Sequence, residues 1–111
     1  MAGNDDLARH IEQVAATIEG IERNVDAGGV GYGLRGVLFA VVGVESATFR
    51  LRPDIAEAAL ATPDVRRSDR GPGWVTLVPH AVDQFALDRA GSWFAAAARY
   101  ASETAPGRRA N

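Results

Sequence analysis

The sequence predicts an α+β domain: a small antiparallel sheet of about four strands with helices packed on one face, in the order α-β-β-β-α-β-α. Three observations carry this. Apolar residues recur at helical spacing near the N-terminus, short β-rich runs punctuated by glycine follow, and an alanine-rich stretch with aromatic residues comes last. The 111 residues, 47% of them hydrophobic, suit one core and leave little room for a second. A single domain is therefore expected over residues 1–111, with 103–111 a disordered tail.

The elements follow in order. Leu7, Ile11, Val14, Ile18, Ile21 and Val25 recur at steps of four and three, which predicts a helix from Asn4 to Asn24 with one apolar stripe. Asn4, Asp5 and Asp6 supply an N-cap and favourable charge at the positive end of the dipole, and Ala27-Gly28-Gly29 stops the helix. The same spacing would suit a coiled-coil seam, but among so many strand signals the stripe is expected to pack on a sheet. Val30 to Leu34 and Val37 to Val44 read as strands joined by a hairpin turn at Arg35-Gly36. Val37 to Val42 is apolar on both faces, as a central strand would be. Thr48 to Arg52 alternates, with Phe49 and Leu51 on one face and Thr48, Arg50 and Arg52 on the other.

Pro53 cannot continue a ladder but suits the first turn of a helix, expected from Asp54 to Ala61 with Ile55, Ala59 and Leu60 inward. Arg66 to Gly73 reads as a polar loop, Trp74 to Val78 as the next strand, and Asp88 to Ser102 as the last helix with Asp88 its cap. An earlier start near Ala81, capped by Asp83, stays open. Ile11, Ile18, Phe39, Phe49, Leu51 and Phe94 are the expected core. Alternation along Val37 to Val42 leaves apolar side chains on the second face of the sheet. Those call for cover by the Val82–Leu87 segment or by a second copy of the chain.

Charge and composition restrict function. A net charge of −2 gives no bulk attraction to nucleic acid or anionic lipid, so any such binding must be local. All 12 basic residues are arginine, which a GC-rich genome explains as well as any need for guanidinium groups. There is no cysteine, which excludes disulfides, thiolate metal sites and cysteine nucleophiles together. No apolar run approaches the roughly 20 residues of a membrane span. Asp5 and Asp6 stand where a signal peptide would be basic, so a cytoplasmic location without a membrane partner is expected.

Catalytic signals are absent. His10 and His80 lack a second ligand at metal-binding spacing, and Ser46, Ser68 and Ser92 lack a base at a recognisable offset. Gly28, Gly29, Gly31 and Gly33 precede a strand, whereas a phosphate-binding loop must open a helix. No cofactor is expected. On the expected first helix Glu12, Glu19, Glu22 and Asp26 fall within about 80° of one another, an acidic strip able to collect a hard cation. A solvated helix face, partly neutralised by Arg9 and Arg23, is the simpler reading.

The arginines give the sharper candidate. Arg50 and Arg52 lie on one strand face, and Arg66, Arg67 and Arg70 lie in the loop leading to Trp74. If Trp74 and Thr76 share the face of Arg50, the sheet sets guanidinium groups beside an aromatic ring, a surface that grips phosphates and stacks a base. The simpler alternative places Trp74 in the core with Val75 outward, and pairs the arginines with Asp54, Asp64 and Asp69.

The stretches "GVLFAVV", "FRLRPDIAEAALATPDV" and "GWVTL", followed by an alanine-rich helix ending in an aromatic residue, resemble the MmcQ/YjbR family over about Gly33 to Ala101. That family is similar to the TfoX N-terminal domain, whose glycine-rich opening is echoed in "GGVGYGLRG", and both are related in fold to frataxin-like (YjbR/CyaY-like) α+β sandwiches. Asp26-Ala27 stands where TfoX-like domains have Met-Phe, and arginine replaces the lysine of the middle strand, departures that weigh against TfoX more than against MmcQ/YjbR. The resemblance implies a non-enzymatic binding module, DNA-associated or regulatory, with weak and non-specific DNA binding. The alternative expectation is a protein-interaction or self-associating domain, such as a homodimer, and the third is a metal-binding domain using the acidic strip.

Overall fold

The computed structural model describes residues 2–26 and 29–104, which form three helices and one six-stranded sheet, wholly antiparallel. In chain order the elements are α1 (Ala2–Ala15), β1 (Ile21–Asp26), β2 (Gly29–Leu34), β3 (Val37–Val42), β4 (Ala47–Arg50), α2 (Pro53–Leu60), β5 (Val65–Arg67), β6 (Trp74–Leu77) and α3 (Gln84–Thr104). The strands lie side by side as β1-β2-β3-β4-β6-β5. The α+β class and the helix-strand order agree with expectation, and the sheet gains a strand at each edge.

The first gained strand comes out of the expected long helix. Helix α1 begins at Ala2, ahead of the expected cap at Asn4, and stops at Ala15. There the hydrogen bonds tighten, with the amides of Thr17 and Ile18 bonding to the carbonyls of Val14 and Ala15, and the Thr17 hydroxyl also bonds to Val14. Gly20 then turns the chain at a φ of 87°. Leu7 and Ile11 are buried as the stripe requires, and Ile18 packs half-buried beside them. Ile21 and Val25, four apart, share a strand face as readily as a helix face. In β1 they flank Arg23, opposite Leu34, Tyr32 and Val30 of β2.

The hairpin between β2 and β3 forms at Arg35-Gly36, both with positive φ (54° and 80°), as a two-residue turn matched to strand twist demands. Within this ladder Tyr32 faces Ala40 but Gly33 faces Leu38, so Phe39 is one residue extra on β3. The bulge overturns the expected alternation. Phe39 and Ala40 both turn into the core, at 0% exposure, and Leu38 remains outside at 40%. Leu38 lies over Gly31, where an added Cβ would stand 3.2 Å from its Cδ1.

The helices cover one face. Helix α3 lies across β2, β3 and β4, α1 packs on α3, and α2 sits on β5 and β6. Phe94 of α3 makes edge contacts with Tyr32 and Phe39, each at 5.1 Å, and Trp93 meets Phe49 at 6.4 Å. Ala90, Ala97, Ala98 and Ala101 let α3 approach closely. Of the expected core, Ile11, Phe39, Phe49, Leu51 and Phe94 are almost inaccessible and Ile18 only half-buried.

Helix α3 starts at Gln84, not at Asp88. The Asp83 carboxylate accepts the Ala86 amide at 2.9 Å as the cap, while Asp88 lies inside the helix and accepts from Gln84. Val82 and Leu87 pack against the core on the helix side, so they do not cross to the second face. Glu103 and Thr104 end α3, which shortens the expected tail. Residues 105–111 lie outside the described residues, as do Ala27 and Gly28 of the expected helix stop.

Candidate functional site

Helix α2 starts at Pro53, which needs no amide partner in a first turn. It buries Ala56 and Ala59, and its start ends the β4 direction: Arg52 stands at the helix boundary rather than on the strand. The expected alternation of Arg50 and Arg52 on one strand face therefore fails. Arg52 instead pairs with Asp54 at 3.4 Å, with both side chains more than half exposed.

Arg66 and Arg67 belong to β5, a three-residue strand where a loop was expected. Strand alternation separates them. Arg67 pairs across from buried Val75 on the helix side, and its guanidinium lies 3.7 Å from Glu57 of α2. Arg66 pairs across from Thr76, on the face without helices. On that face Thr76 is opposite Thr48, their hydroxyls 3.0 Å apart, and Trp74 is opposite Arg50.

The register overturns the simpler reading of Trp74. Val75 points into the core at 1% exposure, and Trp74 is half-buried on the other face. The Arg70 guanidinium lies 5.3 Å over the Trp74 ring. The expected carboxylate partners fare unevenly: Asp54 takes Arg52, but Asp64 accepts the His80 amide at 3.0 Å, and Glu57 takes the place expected for an aspartate.

Arg50 sits at the end of β4, and its long side chain reaches α3. Its guanidinium carbon is 4.7 Å from the centre of the Tyr100 ring, and Nη1 lies 3.4 Å from the Thr104 hydroxyl. Sequence reasoning did not connect Tyr100 or Thr104 with Arg50. No local signal could have done so, because the pair is 54 residues apart and meets only through the sheet-helix packing.

Between α2, the ends of β4 and β6 and the C-terminal turn of α3 lies a cleft of about 460 Å³. Pro53, Leu60 and Pro72 line it with accessible apolar surface, Leu51, Ala56 and Val75 border it but are buried, and Arg50, Arg67, Trp74 and Tyr100 also face it. The Ser68–Gly73 loop forms one side. It is held by the Leu51 amide donating to the Gly73 carbonyl at 2.8 Å. Gly73 itself has a φ of 82°, and a Cβ there would stand 2.9 Å from the Leu51 carbonyl oxygen.

The acidic strip does not form. Glu12 is on α1, Glu19 in the following turn and Glu22 on β1; Glu12 pairs with Arg23 at 3.3 Å, and Glu22 accepts the Gly36 amide. Among the described residues no group of three or more histidine or carboxylate side chains could hold a metal. His10 packs at the crossing of α1 on Gly91 of α3, and no described helix is long and apolar enough to cross a membrane. No protein-family model matches the chain, and neither the curated proteins nor the solved structures contain a match to it.

Proposed function

We propose that the chain is a non-enzymatic binding module whose arginine-bearing sheet end holds DNA, weakly and without sequence preference. One observation carries the reading. The β4-β6-β5 register sets Trp74 and Arg66 on the face free of helices, and Arg70 joins them across the Trp74 ring, while Arg50, opposite Trp74 in the ladder, turns its guanidinium to α3. Guanidinium groups beside a half-exposed indole can contact phosphates and stack an unpaired base. The resemblance to MmcQ/YjbR proteins supports the same reading, and the formal charge of −2 limits the affinity to micromolar or weaker.

The test is an electrophoretic titration of a single-stranded and a duplex oligonucleotide at two salt concentrations. Binding should weaken steeply with salt, and replacing Arg66 and Arg70 by alanine together should reduce the slope of log K by about 1–2. An unchanged slope would mean that these arginines are ordinary solvated surface, and would overturn the reading.

Self-association is the second reading, favoured by β1. That strand forms one edge of the sheet and carries Val25 at 65% exposure, an arrangement open to pairing with another strand. The bulge at Phe39 weakens the case for face-to-face dimers, since it leaves Leu38 as the one large apolar side chain strongly exposed on the helix-free face among the described residues. Sedimentation over a wide concentration range tests it, and a strict monomer at high micromolar protein would eliminate it.

A further inference from the structure

We infer that the cleft between α2, α3 and the ends of β4 and β6 takes a planar ring that bears an anionic group. The volume of about 460 Å³ suits a ligand of mononucleotide size. Pro53, Leu60 and Pro72 offer accessible apolar surface to the ring, and Arg50 and Arg67 also reach the cleft. Such a division, apolar surface for the ring and guanidinium for the anion, orients a ligand as well as holding it.

Arg50 carries the argument furthest. Stacking on Tyr100 and contact with Thr104 restrain a side chain that would otherwise lose much rotamer freedom on binding. Neither partner is a carboxylate, and among the described residues no carboxylate pairs with Arg50. Arg67 differs. It shares its charge with Glu57 across 3.7 Å, and that carboxylate repels an anion on its side of the cleft. The anionic group therefore belongs at Arg50, and the ring's own N–H or amino donors face Glu57. The loop wall is fixed by the bond between Leu51 and Gly73, so the cleft exists before any ligand arrives.

This inference rests on the reading of the arginine-bearing end as a binding surface, and names the ligand chemistry of one part of it. Two sources share that chemistry: a nucleotide, free or within a single strand, and a small aromatic acid. The experiment uses the full chain, with calorimetry and amide chemical-shift mapping during titration with adenosine monophosphate, benzoate and inorganic phosphate. Saturable binding of a ring-bearing anion is expected, with shifts at Leu51, Gly73 and Tyr100, and with inorganic phosphate weaker. Stronger binding of adenosine monophosphate than of benzoate assigns the nucleotide source, and the reverse assigns the aromatic acid. Arg50→Gln should weaken binding at least about tenfold while the melting temperature stays near that of the parent.

Failure of both ring ligands to bind, or binding that Arg50→Gln leaves unchanged, overturns the inference. A single-stranded oligonucleotide distinguishes the two levels. If the chain binds it with full affinity after Arg50→Gln but not after the double substitution at Arg66 and Arg70, the cleft inference falls and the wider reading stands. If the parent chain binds neither oligonucleotide nor ring ligand, both fall.

Discussion

Replacing Leu38 and Phe39 separately measures the bulge in β3. Strict alternation would set Phe39 on the face opposite Ala40, whereas the register turns both inward and leaves Leu38 outside. Phe39 has no exposure and makes an edge contact with Phe94 at 5.1 Å. Phe39→Ala removes that buried ring and leaves a cavity, costing about 3–5 kcal/mol, of which the aromatic pair accounts for about 0.5–1.5 kcal/mol. Leu38 is 40% exposed, so Leu38→Ala loses only part of a leucine's burial, about 1 kcal/mol, with no enclosed cavity. Urea unfolding followed by tryptophan fluorescence gives both values, provided the slope with denaturant is the same for the parent and both variants. A domain of this size holds about 5–15 kcal/mol in all, so Phe39→Ala should bring the midpoint down sharply without abolishing the fold. With Ala40 inward an unbulged strand would put Leu38 inside and Phe39 outside, so a larger loss at Leu38 than at Phe39 would refute the bulged register.

Three further outcomes are expected. Gly73→Ala, which forces a Cβ against the Leu51 carbonyl at positive φ, should cost on the order of 1–3 kcal/mol in thermal melting and shift the amide resonance of Leu51. Asp83→Ala removes the cap of α3 and should cost about 0.5–2 kcal/mol, while Asp88→Ala should stay within about 0.5 kcal/mol of the parent; the reverse order would return the helix start to Asp88. Arg23→Ala, which breaks the half-exposed pair with Glu12, should change stability by less than about 1 kcal/mol, and a larger loss in urea titration would mean that β1 depends on this contact.

Local chemistry settled much of the architecture. The Arg35-Gly36 turn and the helix start at Pro53 depend on the backbone preferences of a few adjacent residues, so they are legible without knowing the rest of the chain. The interior position of β3 and the inward set Phe49 and Leu51 follow from apolar patterning, which any compact fold must bury. Residues 16–26 were legible only in part. Ile21 and Val25 are four apart, a spacing common to a helix stripe and a strand face, and only pairing of Arg23 with Tyr32 across β2 selects the strand. Gly20 was the available sign that the helix had ended, since a glycine inside it would cost about 1 kcal/mol relative to alanine. The arginines are visible in the sequence as residues, but their grouping belongs to the tertiary structure. Adjacent Arg66 and Arg67 are sent to opposite faces once Val65–Arg67 becomes a strand, and Arg50 meets Tyr100 only because α3 runs past the end of β4. Such contacts join residues far apart in the chain through packing, and neither periodicity nor turn chemistry carries information across that distance.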